Sequence, residues 1–157
     1  LVGSEMCIRD SLRAAVLSSG RHWIDIDPYG SPAPFIDSAM QSMARSGVME
    51  VSATDTAALT GSSKTALMRR YGARVRTDCL AHDSGMRVML SNISRIAARH
   101  DRAIEPLLSI WDSHHLRVSF RVMKSVSSAN ILEERIGWRV FAPDRRRLPL
   151  QLILGYK

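Results

Sequence analysis

The chain has 157 residues, 45% of them hydrophobic, enough for one domain with a real core, or one domain and the beginning of another, and too few for two complete domains. Its 22 Lys and Arg against 15 Asp and Glu give +7, and the arginine-rich excess suits bidentate contact with phosphates, so nucleic acid is the favoured partner; on charge alone, a basic surface kept for solubility is the alternative. Two cysteines, Cys7 and Cys79, exclude a disulfide framework and a multi-cysteine metal site and fit a reducing, cytoplasmic setting, while charged residues interrupt every apolar stretch before the roughly 20 residues a bilayer span needs.

Residues 1–11, Leu-Val-Gly-Ser-Glu-Met-Cys-Ile-Arg-Asp-Ser, resemble the translation of a transposase adapter used in sequencing libraries, so fold reasoning begins at Leu12 and the natural start is expected upstream. Setting them aside removes Arg9 against Glu5 and Asp10, so the basic character belongs to the remainder. From there short apolar runs alternate with amphipathic stretches, the signature of an α/β domain. Residues 23–27 (Trp-Ile-Asp-Ile-Asp) read as a strand ended by Pro28 and the turn residues Gly30, Ser31 and Pro32. Pro34 suits a first helical turn, and Phe35, Ile36, Ala39, Met40 and Met43 recur at helical spacing, which predicts a helix stopping at Gly47. A second strand follows at 48–53, so close behind the helix that a β-α-β crossover with parallel strands is expected. In open α/β sheets ligands bind beyond the carboxyl ends of the strands, so residues 27–32 and 54–56 should line one crevice.

Lys64–Tyr71 reads as a short basic helix capped by Gly72, and 85–99 as a longer one with Met86, Met89, Leu90, Ile93, Ile96 and Ala97 on its apolar side. Residues 116–122 alternate with period two, as a half-exposed strand should, and 137–142 suit one more strand. Beyond Arg145, Arg146 and Arg147 the pattern weakens, and the chain ends on an apolar segment, as expected of a truncation inside a second domain. The expected division is residues 1–11 adapter, 12–125 a partial catalytic domain and 126–157 the start of a second domain.

Asp27-Pro28-Tyr29-Gly30 after a strand is the feature with chemistry in it. Alkylating an exocyclic amine of a base requires an acceptor that holds the amine, orients its lone pair and takes up a proton. Asp27 and the Pro28 carbonyl can accept from the amino hydrogens, and Tyr29 offers a face for a base lifted from its stack. Alone, Asp-Pro is also an ordinary turn opener. Asp55 either positions the base through hydrogen bonds or caps the next helix. His82 either touches substrate or is structural, and His114 and His115, adjacent in a strand, would face opposite ways and not share a metal. Arg69, Arg70, Arg74 and Arg76 either track phosphates or form a solvated helix face, and Arg145 to Arg147 offer a second basic patch. Arg87 reads as a snorkelling surface residue.

Residues 24–39, Ile-Asp-Ile-Asp-Pro-Tyr-Gly-Ser-Pro-Ala-Pro-Phe-Ile-Asp-Ser-Ala, closely resemble the fourth motif of the tRNA (guanine(26)-N2)-dimethyltransferase family. Residues 51–59 resemble that family's next strand and loop. Arg69-Arg70-Tyr71-Gly72-Ala73, His82 with Gly85-Met86-Arg87, residues 104–109 and residues 114–118 match in order and approximate spacing. The resemblance implies the C-terminal half of a class I, Rossmann-like S-adenosylmethionine-dependent methyltransferase domain, followed by the start of a second domain, with S-adenosylmethionine as cofactor and tRNA as partner. It implies methylation of the N2 amine of a guanosine at the junction of the D and anticodon arms. By the same resemblance Asp27 is the catalytic aspartate, and Pro28 and Tyr29 belong to the base pocket. Gly30, Ser31, Thr54 and Asp55, on the same two strand-end loops, are expected to line that pocket. Arg69, Arg70, Arg74 and Arg76 are the candidates for tRNA contact, with a solvated helix face as the alternative, and Asp27 and Pro28 are the candidates here for reaching the donor. Family members often carry phenylalanine at the position of Tyr29, which leaves stacking intact. The cysteines frequent near the start of the family's second domain are not found around Phe141-Ala142-Pro143-Asp144, so no zinc site is expected.

The donor's carboxylate and ribose are usually held by a glycine-rich loop after the first strand and an acidic residue ending the second. Residues 12–22 contain neither, so this polypeptide is expected to bind the donor weakly and to expose a normally central strand. The alternatives are another amino-methyltransferase with the same strand-end motif, acting on ribosomal RNA or on adenine in DNA, and a non-catalytic basic RNA-binding module.

Overall fold

The computed structural model describes residues 20–141 and 151–156. The adapter-like residues 1–11, the segment 142–144 and the basic patch of Arg145 to Arg147 lie outside the described residues.

The described chain runs β1 (Arg21–Ile26), α1 (Ala33–Ser42), β2 (Met43–Ala53), α2 (Thr56–Leu59), α3 (Lys64–Tyr71), α4 (Ala81–Ala98), β3 (Arg102–Asp112), β4 (His115–Lys124), α5 (Val126–Asn130), α6 (Leu132–Arg135), β5 (Ile136–Phe141) and β6 (Gln151–Tyr156). Four strands form a mixed sheet in the order β1-β2-β4-β3. β1 and β2 are parallel, as the short crossover through α1 requires, with Ile24 opposite Met49 and Ile26 opposite Val51. β4 runs antiparallel to both β2 and β3. β5 and β6 pair antiparallel in a separate two-stranded sheet. Among the described residues β1 is an edge of the large sheet.

Alternation decides which face is buried. Ile24 and Ile26 of β1, Met49, Val51 and Ala53 of β2, and Leu116, Val118, Phe120 and Val122 of β4 all point to one side. Phe35, Ile36, Ala39 and Met40 of α1 and Val88, Met89, Ile93 and Ala97 of α4 join them in a single buried cluster. The opposite side carries an ion cluster that spans three strands. Arg117 on β4 donates to Asp25 of β1 at 2.9 Å, to Ser52 Oγ of β2 at 2.9 Å, and through Nε to Glu50 at 3.0 Å. Trp23, Leu108 and Ile110 are exposed.

Two expectations are corrected. The first helix stops at Ser42, not Gly47, and Met43 is already extended at φ −69°, ψ 143°. The reason lies far along the chain: the buried guanidinium of Arg102 donates to the carbonyls of Met43 and Ala44, each at 2.6 Å, so they are unavailable to a further helical turn. Gly47 is a strand residue, glycine because a Cβ there would lie 2.4 Å from the His22 carbonyl oxygen of the neighbouring strand.

The long helix begins at Ala81, four residues before the expected Gly85. Gly85 lies inside it because the helix crosses the backbone of α2 closely. A Cβ would stand 2.9 Å from the Leu59 carbonyl oxygen and 3.1 Å from the Trp111 ring. Gly85→Ala is therefore expected to cost about 1–3 kcal/mol through overpacking, despite alanine's better helix propensity, read as a lowered denaturant midpoint.

β3 was not anticipated. Among the described residues it is an edge strand, where proline is tolerated, and its register shifts between Pro106 and Leu108, where a bulge absorbs the missing donor. Gly72 caps α3 as expected, in the left-handed region at φ 63° with its N–H on the Met68 carbonyl.

Candidate active site

Because β1 and β2 are parallel neighbours, the loops that leave their carboxyl ends emerge side by side. The inward pattern of Ile24 and Ile26 carries on past the strand: Pro28 is buried, while Asp27 and Tyr29 are exposed. The Tyr29 ring is 88% accessible. The Asp27 carboxylate makes no hydrogen bond or ion pair with any described residue. The chain turns at Gly30, in the left-handed region at φ 83°.

The two loops are stitched together at that turn. The Gly30 N–H donates to Thr54 Oγ1 at 2.7 Å, and the Thr54 N–H donates to the Gly30 carbonyl at 3.0 Å. One residue on, Asp55 turns its carboxylate away from α2, where no side-chain cap forms. It accepts instead from the Tyr71 hydroxyl, at 2.9 and 3.1 Å, and from Arg70 at 3.0 Å. Its side chain is 7% exposed. Ser31 completes the chain by donating to the Tyr71 hydroxyl at 2.9 Å. Burial, reinforced by the negative charge of Asp55, pushes the Tyr71 hydroxyl well above the ordinary phenol range, so it serves as a proton donor.

The structure thus brings Asp27, Pro28, Tyr29, Gly30, Ser31, Thr54 and Asp55 to one end of the sheet. Of the four arginines, Arg69, Arg74 and Arg76 are exposed, while Arg70, at the surface end of α3, has one nitrogen committed to Asp55. Beyond Gly72, exposed Arg74 and Arg76 alternate with buried Ala73 and Val75, so both arginines project from one side of an extended segment. His82 stacks on Trp111, ring centroids 4.5 Å apart and tilted by 35°. That pair lies at the same end of the sheet, because Trp111 and Ala53 both pair with Leu116. Arg87 pairs with Asp83 one helical turn away at 2.9 Å.

Sequence reasoning missed Tyr71. Its local signals were its place as the last residue before a helix cap and inside the family-like string of residues 69–73, and its partners are 16 and 40 residues away.

At the end of β1, Asp27 presents an exposed carboxylate with no hydrogen-bond or ion-pair partner among the described residues, beside the exposed ring of Tyr29. No glycine-rich loop follows a strand among the described residues. Among them, too, no group of three or more His, Cys, Asp or Glu side chains could hold a metal, and no helix is long and apolar enough to cross a membrane.

Residues 11–142 match the family model described as N2,N2-dimethylguanosine tRNA methyltransferase. The chain is 40% identical over 131 residues to a tRNA (guanine(26)-N(2))-dimethyltransferase of Thermoplasma volcanium, covering 83% of this chain and 38% of that protein. It is 42% identical over 123 residues to the Aeropyrum pernix enzyme of the same name, covering 77% and 30%. To the tRNA (guanine(26)-N(2)/guanine(27)-N(2))-dimethyltransferase of Aquifex aeolicus it is 34% identical, covering 76% and 30%. The chain therefore spans well under half the length of these relatives. Among solved structures it resembles Trm1 from Pyrococcus horikoshii in complex with S-adenosyl-L-methionine, at a TM-score of 0.80 and 30% identity, covering 94% of this chain and 39% of that one. The mixed sheet and its flanking helices are thus part of a class I methyltransferase fold, and the chain belongs to the N2,N2-dimethylguanosine tRNA methyltransferase family.

Proposed function

We propose that this chain is part of an S-adenosylmethionine-dependent enzyme that methylates the N2 amine of guanosine 26 in tRNA, the substrate in the names of its relatives. The observation that carries this reading is the uncommitted, exposed carboxylate of Asp27 at the end of β1, beside the open ring of Tyr29, on a loop locked to Thr54. Asp27 and the Pro28 carbonyl hold the amine hydrogens, Tyr29 stacks on the flipped guanine, and Gly30, Ser31, Thr54 and Asp55 fix the loop that carries them. The donor supplies an electrophilic methyl group on a sulfonium. As the amine nitrogen bonds to that carbon, the carbon–sulfur bond opens toward sulfur and the surplus proton of the amine passes to Asp27. Asp27 and Pro28 also face the donor side of the pocket.

Arg69, Arg74 and Arg76, with the free part of Arg70, form the phosphate-contacting surface, so tRNA affinity falls steeply with salt. Residues 12–125 make up a partial catalytic domain and 126–157 the start of a second, a division supported by the change from the four-stranded sheet to the separate β5–β6 ladder. A cytoplasmic location belongs to the same reading and agrees with Cys79 being an exposed free thiol.

The test is to incubate the full-length enzyme with unmodified tRNA and isotope-labelled donor, digest the RNA and identify the labelled nucleoside by mass spectrometry. Label on N2-methylated guanosine at position 26 is expected. Label on adenine or on ribosomal RNA alone, or salt-sensitive RNA binding with no label at all, would overturn the proposal.

A further inference from the structure

We infer that Tyr71 is a positioning residue for the loop that carries Asp27, an inference that rests on the role proposed above for Asp27. The Tyr71 ring is 4% exposed, and its hydroxyl stands between the two strand-end loops, accepting from Ser31 at 2.9 Å and donating to Asp55 at 2.9 and 3.1 Å. Arg70, the preceding residue of the same helix, holds the other side of the Asp55 carboxylate at 3.0 Å. The direction of each bond is fixed by chemistry. Ionised Asp55 only accepts, so the single hydroxyl proton of Tyr71 goes to it, and the Tyr71 oxygen is left to accept from Ser31. A continuous line of hydrogen bonds therefore runs from α3 through Tyr71 to a residue only four beyond Asp27.

The loop needs such a tie. Asp27 has no side-chain partner among the described residues, so its backbone alone sets where the carboxylate points. Between it and Ser31 lies Gly30, which has no heavy atom within 4 Å of the place a Cβ would occupy and is restrained only through Thr54. The Gly30–Thr54 pair holds the turn on one side, and the Ser31–Tyr71 bond holds it on the other. Without the second, the turn pivots about the two Gly30–Thr54 hydrogen bonds.

A displacement of about 1 Å at a reacting group costs up to about 100-fold in rate, so Tyr71→Phe is expected to lower kcat about 10- to 100-fold. The KM for tRNA should stay within about threefold, since Tyr71 is buried away from the RNA-facing surface. The experiment measures kcat and KM for Tyr71→Phe, Ser31→Ala and the double variant in the full-length enzyme, with amide hydrogen exchange of residues 30 and 31. The expected result is a similar kcat loss in each single variant, no further loss in the double variant, and faster exchange at Gly30 and Ser31 in all three. Unchanged kcat in Tyr71→Phe, losses that add in the double variant, or unchanged exchange at residues 30 and 31 would each overturn the inference. A wild-type enzyme that makes no N2-methylated guanosine overturns the proposed function instead, and the exchange measurement then still reports whether Tyr71 holds the loop.

Discussion

Asp27→Ala in the full-length enzyme is expected to lower methyl transfer about 10²- to 10⁴-fold, the usual contribution of a positioned proton acceptor, while tRNA affinity stays close to that of the wild type. The split between the two readouts follows from the geometry. Asp27 is exposed and makes no hydrogen bond or ion pair with another described residue, so removing its carboxylate leaves the sheet, the Gly30–Thr54 stitch and the arginines beyond Gly72 where they are. Asp27→Asn separates the two parts of the role. An amide oxygen still accepts one amine hydrogen but takes up no proton, so Asn should recover orientation and remain well below wild-type turnover. Single-turnover methylation with saturating enzyme, together with filter binding of tRNA, gives both numbers. Turnover within about twofold of wild type in Asp27→Ala would remove Asp27 from the chemistry, because uniform binding effects leave the chemical step untouched.

Arg102→Met is expected to destabilise the protein by about 2–4 kcal/mol, since a buried carbonyl at Met43 and a part-buried one at Ala44 lose a charged donor and the methionine replaces only the apolar stem. At this chain length that corresponds to a fall in Tm of about 5–15 °C by calorimetry. Arg102 is 8% exposed, and burial pulls its guanidinium below the ordinary arginine value without taking it out of the charged form at neutral pH. The same substitution tests why α1 ends where it does. With the carbonyls of Met43 and Ala44 released, residues 43–46 are free to continue the helix. Their amide exchange should change from a strand pattern to a frayed helical one, while the ladder from Gly47 onward against β4 keeps its protection. A loss below about 1 kcal/mol would mean that these carbonyls find other partners, and the helix stop would then need another cause.

The loop chemistry and the helix stop differ in how far they can be seen along the chain. The strand–turn–helix unit around Asp27 is written in adjacent residues. Alternation buries Ile24 and Ile26, Pro28 ends the strand, Gly30 takes the left-handed turn and Pro34 enters the helix. Such period-two and capping signals act over a few residues, so they survive without tertiary context. The parallel pairing of β1 and β2 was legible for a similar reason, since a short helical crossover permits no other arrangement. The C-terminal boundary of α3 at Gly72 belongs to the same class.

Local pattern fails where a distant residue competes for a backbone group. Met43 continues the apolar spacing of α1, and Gly47 looks like a helix cap, yet Arg102 claims two carbonyls and His22 requires a glycine beside it. β3 went unread, and its Pro106 fits a strand because β3 lies at the edge of the sheet among the described residues. At Asp55 the sequence left a helix cap and a hydrogen-bonding role open. The structure forms no side-chain cap there, because Tyr71 and Arg70, 16 and 15 residues on, present donors that the first turn of α2 cannot match. By itself, then, the sequence determined the α/β class and the neighbouring loops at the carboxyl ends of the first two strands, because these rest on short-range periodicity and turn chemistry, while the motif at Asp27, Pro28 and Tyr29 was legible through its resemblance to a family. Only the tertiary structure decided what ties those loops together, because the Ser31–Tyr71–Asp55–Arg70 line joins side chains that meet only when α3 packs beside the two loops, and a long-range hydrogen bond has no sequence period.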